Sequence, residues 1–298
     1  MFNLPIPELP DPNRPRYTPL PDKTFPAASL EVWLELAKAA GVPFIPAELA
    51  GRLDIHGLLH FEELHEPRVQ QAMSQLDAIN AALEEGQMLR WDCCAGFETK
   101  LRMGDGEQPV GHERDLHPGE PRTFDLLYDF PAETISVWRR PWIQAMALDA
   151  FPVEFRVFVV QGQVAGIANY YLQRDLPDTT AIEALAVECL AYAEDMVAIM
   201  LETQRFPAMP NAPVAQTLDR TAIDCSLDFL ATPEGEILFL EGGPGFGFGA
   251  HPCAFLEEGQ VAPIEGLKLS STKPAKPLTD LKQPSGEALT RGPRIKTR

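Results

Sequence analysis

Long apolar runs are missing from this chain: no stretch approaches the roughly 18 consecutive residues that a membrane-spanning helix needs. The start, MFNLPIPELPDPNRPR, has prolines where a signal peptide would need an apolar helical segment. No membrane partner is expected, and the cytosol is the expected compartment. Cysteine is scarce as well. The five present (Cys93, Cys94, Cys189, Cys225 and Cys253) are odd in number and never spaced as CxxC, which argues against a disulfide framework or a zinc ribbon and for reduced, mostly buried thiols. Cations are outnumbered, 25 Lys and Arg against 43 Asp and Glu, for a net charge of −18. Nucleic-acid affinity depends on cationic groups that displace counterions, so no nucleic-acid partner is expected. There is no repeat of fixed period, no G-K-[ST] of a phosphate loop, and no nucleophile motif around Ser226 or Ser270.

What is present is enough apolar material, 45% of 298 residues, to build one large domain or two lobes. Eight prolines in the first 29 residues predict an extended arm over 1–28. Helical spacing predicts a helix over 29–40, with Ser29 as cap and Gly41 closing it. A second helix is predicted over EPRVQQAMSQLDAINAALEE, ending at Gly86, and a third, the longest, over TTAIEALAVECLAYAEDMVAIMLET, capped by Asp178. QMLRWDCC and ISVWRR read as short strands. VEFRVFVV, the turn Gln161-Gly162 and QVAGIANYYLQ read as a hairpin; AIDCSLDFLAT, the turn Pro233-Glu234-Gly235 and EILFLE read as another. Two hairpins separated by one long helix predict an α+β fold with mostly antiparallel sheets. The last segment reverses the charge: from Lys268 to Arg298 eight Lys and Arg face only Asp280 and Glu287, a net of +6. It reads as a solvated, disordered extension. The expected organisation is an arm (1–28), a helical and small lobe (29–135), a second lobe (136–262) and a basic tail (263–298).

The stretch EGGPGFGFGAHPC, residues 241 to 253, follows a strand and contains G-x-G-x-x-A at 245–250. The dinucleotide reading fails on context, since no sizeable helix or further parallel strand with an acidic residue follows. Read with the hairpin before it, the loop acquires a different meaning. Asp228 and Glu241 lie near neighbouring positions of two antiparallel strands, where they either share a hard cation or remain solvent-facing acids. In the preceding hairpin, period two puts Glu154, Arg156 and Phe158 on one face of a strand, with Phe155, Val157 and Val159 on the other. Charged groups among apolar neighbours need a partner or a ligand. Arg139 and Arg140 lie between Trp138 and Trp142, an arrangement that suits phosphates and a base or, alternatively, cation–π packing on an edge strand. His56, His60 and His65 lack a matching Cys or carboxylate set at ligand spacing. Cys93-Cys94 reads as packing, and His251 as a residue that could orient a substrate.

Three segments, SVWRRPW, EFRVFVVQGQVAGIANYY and DCSLDFLATPEGEILFLEGGPG, resemble the ATP-grasp superfamily over residues 88 to 253. Within it they resemble most the cell-division-cycle proteins that act as assembly chaperones for eukaryotic translation initiation factor 2. The resemblance implies two lobes with mostly antiparallel sheets enclosing a nucleotide cleft, with ATP and Mg²⁺ as cofactors. It implies Asp228 and Glu241 as metal ligands, Arg156 as the catalytic phosphate contact, and Glu154 beside it on the ribose or adenine side. Arg139, Arg140 and Trp142 would border adenine, Lys100 would reach the α- and β-phosphates, and Asn169 would add a late hairpin contact. Gly243 stands where the family has an asparagine ligand. The implied activity is carboxylate–amine ligation through an acyl phosphate, with an unidentified carboxylate as partner. The alternative is an ATP-binding assembly chaperone for a protein partner.

Overall fold

The computed structural model describes residues 20–96, 99, 115–148, 151–171, 174–208, 217–245, 255–257, 260–262, 264–270 and 272–281. Along the chain run β1 (Thr24–Pro26), α1 (Leu30–Ala40), β2 (Glu48–Asp54), α2 (Ile55–Leu59), α3 (Pro67–Ala81), β3 (Gln87–Trp91), α4 (Pro121–Asp129) and β4 (Thr134–Pro141). There follow β5 (Ala147–Leu148), β6 (Phe151–Pro152), β7 (Glu154–Val160), β8 (Gln163–Asn169), α5 (Thr180–Thr203), β9 (Phe206–Ala208), β10 (Cys225–Ala231) and β11 (Ile237–Pro244). The last strands are β12 (Phe255–Glu257), β13 (Gln260–Ala262) and β14 (Gly266–Lys268). No helix among the described residues is long and apolar enough to cross a membrane.

Two sheets organise the fold. The larger has five strands in the order β11-β10-β7-β8-β14, antiparallel except where β14 pairs with β8. Its two hairpins form where the turn chemistry directs them. Gln161 and Gly162 both have positive φ, 50° and 69°, as the tight turns that match strand twist require. Gly235, at φ 84°, closes the second turn by donating its amide to Thr232 O at 2.9 Å. The apolar side of β7 behaves as its period predicts: Phe155, Val157 and Val159 join Leu227, Phe229 and Phe239 in a core covered by α1 and α5. Phe158 falls on the other face, with Ala168 and Ile264.

The smaller sheet, β2-β4-β3, is antiparallel and has its own core, in which Leu53, Leu89, Trp91, Ile135 and Val137 pack with Ile55 and Leu58 of α2 and Leu76 of α3. Its strand β2, ELAGRLD, has no apolar alternation to announce it, and α4 is likewise absent from the sequence reading. Asp92, just past β3, joins the two halves. Its carboxylate accepts from Ser29 Oγ at 2.7 Å, from Glu31 N at 3.0 Å and from Trp138 Nε1 at 2.8 Å.

Several boundaries differ from expectation for local reasons. Ser29 sits at the cap of α1 but its hydroxyl donates to Asp92, and the first-turn amide of Glu31 is satisfied by the same Asp92 carboxylate, just past β3. Helix α5 is capped by Thr179, whose hydroxyl accepts from Ile182 N at 3.4 Å, and not by Asp178. Helix α3 stops at Ala81, short of Gly86. In the arm, β1 pairs in parallel with β9. The basic segment is also not wholly a free tail: Leu267 and Leu269 are buried, β14 extends the larger sheet, and Lys276 bonds the buried Glu183 of α5. Leu267 and Lys276 exchange two backbone bonds of 2.7 and 2.9 Å. Among the described residues, Cys93, Cys94, Cys189 and Cys225 are reduced and take part in no disulfide.

Candidate functional site

On the face of the larger sheet turned away from α5, charged side chains form a row across three strands. The register sets Arg156 of β7 opposite Asp228 of β10, and Asp228 opposite Glu241 of β11. A bulge makes the second pairing possible. From Ala231 to Phe229 the partners run Ile237, Leu238, Phe239, and then Asp228 skips Leu240 to meet Glu241. Without that extra residue the pleat would turn Glu241 toward the apolar core, since a one-residue slip exchanges the two faces of a strand.

The row is tightly paired. Arg156 grips Asp228 with Nε to Oδ1 at 2.7 Å and Nη2 to Oδ2 at 2.6 Å, the two-pronged geometry that fits guanidinium to carboxylate. Both are buried, at 8% and 1% exposure. Glu241 is met from the smaller sheet: Arg90 Nη1 of β3 lies 2.7 Å from its Oε2. Beside this pair Arg140 donates to two main-chain carbonyls, Leu240 O at 3.1 Å and Ile45 O at 2.9 Å. Burial, and then the neighbouring charge of Arg90, lower the Arg140 pKa to about 9 against the pull of Glu241. The Tyr170 ring covers the Arg156 guanidinium with its centroid 5.0 Å from Cζ. Burial and then the charge of Glu154 push the hydroxyls of Tyr170 and Tyr171 up, so both remain neutral donors.

The other residues singled out from sequence divide between near and far. Glu154 shares the face and strand of Arg156 and is buried at 3% exposure. Arg140 reaches the row, but Arg139 follows Val137 on the opposite face of β4, and its Nε is buried with no hydrogen-bond partner. The indole nitrogen of Trp142 is likewise buried without one, while its backbone N–H donates to Gly86 O at 2.7 Å. Asn169 stands opposite Phe155, on the far side of β8 from Ala168 and Arg156. Its Nδ2 donates to Tyr171 O at 2.9 Å and Arg174 O at 2.5 Å, fixing the chain after the hairpin. Lys100 and His251 lie outside the described residues. Arg90 and Tyr170 went unmarked in the sequence, although Arg90 inside QMLRW is the same signal that singled out Arg156: a cation within an apolar strand.

The first glycines after Glu241 meet protein. A Cβ on Gly242 would sit 2.2 Å from Trp33 Cε2, and one on Gly243 would sit 2.9 Å from Ser226 Oγ. These two glycines therefore permit packing against α1 and β10; residues 246–254 lie outside the described part.

The donor set fits a divalent ion with a polyphosphate. Two carboxylates on adjacent strands are the oxygen ligands that Mg²⁺ takes alongside phosphates, and the guanidiniums now held by those carboxylates are the groups that take phosphate oxygens. Gly243 supplies no side-chain oxygen to this set.

No family model matches the chain, and no curated protein does. Solved structures that it resembles include ATP-grasp proteins and Cdc123. The ADP complex of purK, an N5-carboxyaminoimidazole ribonucleotide synthetase, is 15% identical at a TM-score of 0.36, covering 73% of this chain and 45% of that one. The ATP complex of carboxyaminoimidazole ribonucleotide synthase from Aspergillus clavatus is 12% identical at 0.33, covering 72% and 44%. Cdc123 from Schizosaccharomyces pombe is 12% identical at 0.40, covering 85% of this chain and 99% of that one. The chain thus spans less than half of either synthetase and nearly all of Cdc123.

Proposed function

We propose that the charged face of the larger sheet binds Mg²⁺–ATP and that the protein is an ATP-grasp enzyme of the carboxylate–amine ligase class. The observation that carries this reading is the run Arg156, Asp228, Glu241, Arg90, drawn from both sheets, in which all but the half-buried Glu241 are buried. Buried ion pairs add little stability compared with apolar residues of the same size. Two such pairs side by side therefore call for a ligand that uses their charges.

Asp228 and Glu241 would hold the metal, and Arg156 and Arg90 would hold phosphate oxygens. When bound, the ion neutralises charge on a transferring phosphoryl group. Arg140 would remain on its two carbonyls and keep the bulge at Leu240, and with it Glu241, in place. Tyr170 excludes water from one side of Arg156. The exchange would leave no charged group unpaired, because each carboxylate trades a guanidinium for the metal and each guanidinium trades a carboxylate for phosphate.

Calorimetry and thermal unfolding with Mg²⁺ and ATP test this. A ligand that binds only the native state at about 100 times its Kd stabilises by about 2.7 kcal/mol. Glu241→Gln, which keeps the shape, is expected to abolish most of that gain. No binding at millimolar ATP would overturn the reading.

A second reading is an ATP-binding assembly factor for a protein partner, without turnover; the missing side-chain oxygen at Gly243 supports it. Phosphate release on adding carboxylates and amines would support the ligase. Tight ATP binding with no release across the same panel would support the assembly factor.

A further inference from the structure

The connection between α2 and α3 gathers imidazoles and carboxylates that the charged sheet face does not use. Three of the chain's six histidines fall within ten residues, at 56, 60 and 65. The helical spacing of His56 and His60 brings their rings together, with centroids 4.3 Å apart and planes tilted by 33°. The chain then turns back, with Glu66 N donating to Glu63 O at 3.0 Å. That turn brings Glu63, His65 and Glu66 together, so that one ligand atom from each lies within 4.8 Å of the others. His60 Nδ1 lies 2.9 Å from Glu63 Oε1, and His56 Nε2 lies 3.9 Å from Glu66 Oε2. Arg68, the nearest cation in sequence, is engaged elsewhere, on Asp54 at 2.5 Å.

We propose that Glu63, His65 and Glu66 form a site for a borderline divalent metal ion of the zinc class, with His56 as a fourth ligand and His60 orienting the Glu63 carboxylate. Two carboxylates this close repel unless a cation or a proton lies between them. The presence of imidazole selects the metal: Zn²⁺, Co²⁺ and Ni²⁺ accept mixed nitrogen and oxygen ligands, whereas Mg²⁺ takes oxygen alone. The cluster is solvent-exposed, so an ion enters without displacing packed side chains. A hydrogen bond that holds a ligating carboxylate is typically worth a factor of about 10 to 100 in metal affinity, and that is the role of His60. A bound ion would tie the turn over 60–66 back onto α2.

The test uses full-length, tag-free protein freed of metal with chelator, titrated with Zn²⁺ by calorimetry and with Co²⁺ by visible absorption, with Mg²⁺ present throughout. One Zn²⁺ per chain is expected, with Co²⁺ giving a spectrum of nitrogen and oxygen ligation. His65→Ala and Glu63→Gln each lower Zn²⁺ affinity by at least about tenfold, and His60→Ala lowers it by about tenfold at unchanged stoichiometry. These residues lie on the surface, and circular dichroism checks that each variant folds. Failure to bind Zn²⁺ at 100-micromolar concentration, on the order of a weak surface site, overturns the proposal. So does binding that His65→Ala and Glu63→Gln leave unchanged, because the ion would then be held elsewhere.

Discussion

Replacing Gly242 with alanine tests why β11 carries glycine directly after its acidic residue. The added methyl would lie 2.2, 2.3 and 2.7 Å from Cε2, Cδ2 and Nε1 of Trp33, whereas carbon atoms in contact rest about 3.5–4.0 Å apart. The indole or the strand must therefore yield by more than about 1 Å. Neither moves freely. Trp33 is fully buried, its Nε1 donates to Ala27 O at 2.8 Å, and it packs edge-on against Phe25. The strand is pinned by Arg140 on Leu240 O and by Phe239 N on Pro43 O at 2.8 Å. Overpacking of this kind costs about 1–3 kcal/mol, and losing the indole bond adds about 1 kcal/mol. Gly242→Ala should thus destabilise by about 2–4 kcal/mol, read as a lower urea midpoint at unchanged slope. The same substitution in a Trp33→Leu background should cost at least about 1 kcal/mol less, because the clash has lost its partner. A cost below about 0.5 kcal/mol, or an equal cost in both backgrounds, would refute the packing account. If stability held while Mg²⁺–ATP binding disappeared, the glycine would instead serve the ligand.

Asp92→Ala should cost about 3–5 kcal/mol in urea unfolding, since it leaves the hydroxyl of Ser29, the amide of Glu31 and the indole of Trp138 without their acceptor in a buried setting; Asp92→Asn should cost less. Arg90→Gln should weaken Mg²⁺–ATP binding about tenfold or more by calorimetry, the worth of one charge-assisted bond; an unchanged Kd would remove Arg90 from the site. The bond to Glu183 raises the Lys276 pKa above its ordinary 10.5. A raised folded pKa contributes stability that is complete below the unfolded value and is lost as pH rises through the folded one. Protection of the Leu267 amide, corrected for intrinsic exchange, should therefore hold up to about pH 10 and fall as the pH rises past 10.5, and that fall should be absent in Lys276→Gln. An identical decline in the variant would rule out the lysine as its source.

Much of the larger sheet was legible because its signals are local. Alternation along β7 separated the apolar face from the charged one, positive-φ turn residues marked both hairpins, and Gly41 closed α1 as expected. The charged row was only half legible. Asp228 and Glu241 could be placed near each other, but the bulge at Leu240 that puts them on one face is a property of strand pairing that nothing within either strand announces. Partners drawn from distant segments were beyond reach for the same reason. Arg90 meets Glu241, and Asp92 serves α1, only once the smaller sheet has docked. The docking of residues 264–270 and 272–281 was hidden by composition: Leu267 and Leu269 are few among lysines, serines and prolines, and only an open sheet edge gives them somewhere to go.

The way Asp92 serves α1 also orders events during synthesis. The amide of Glu31 waits for an acceptor made 61 residues later, and Trp138, the third donor, follows 46 residues after that acceptor. A nascent chain that has released only its first helix from the ribosome holds an open first turn. That end of the helix gains its side-chain acceptor only when Asp92 arrives from the other half of the molecule, so the capping of the amino-terminal segment is completed together with the body it packs against.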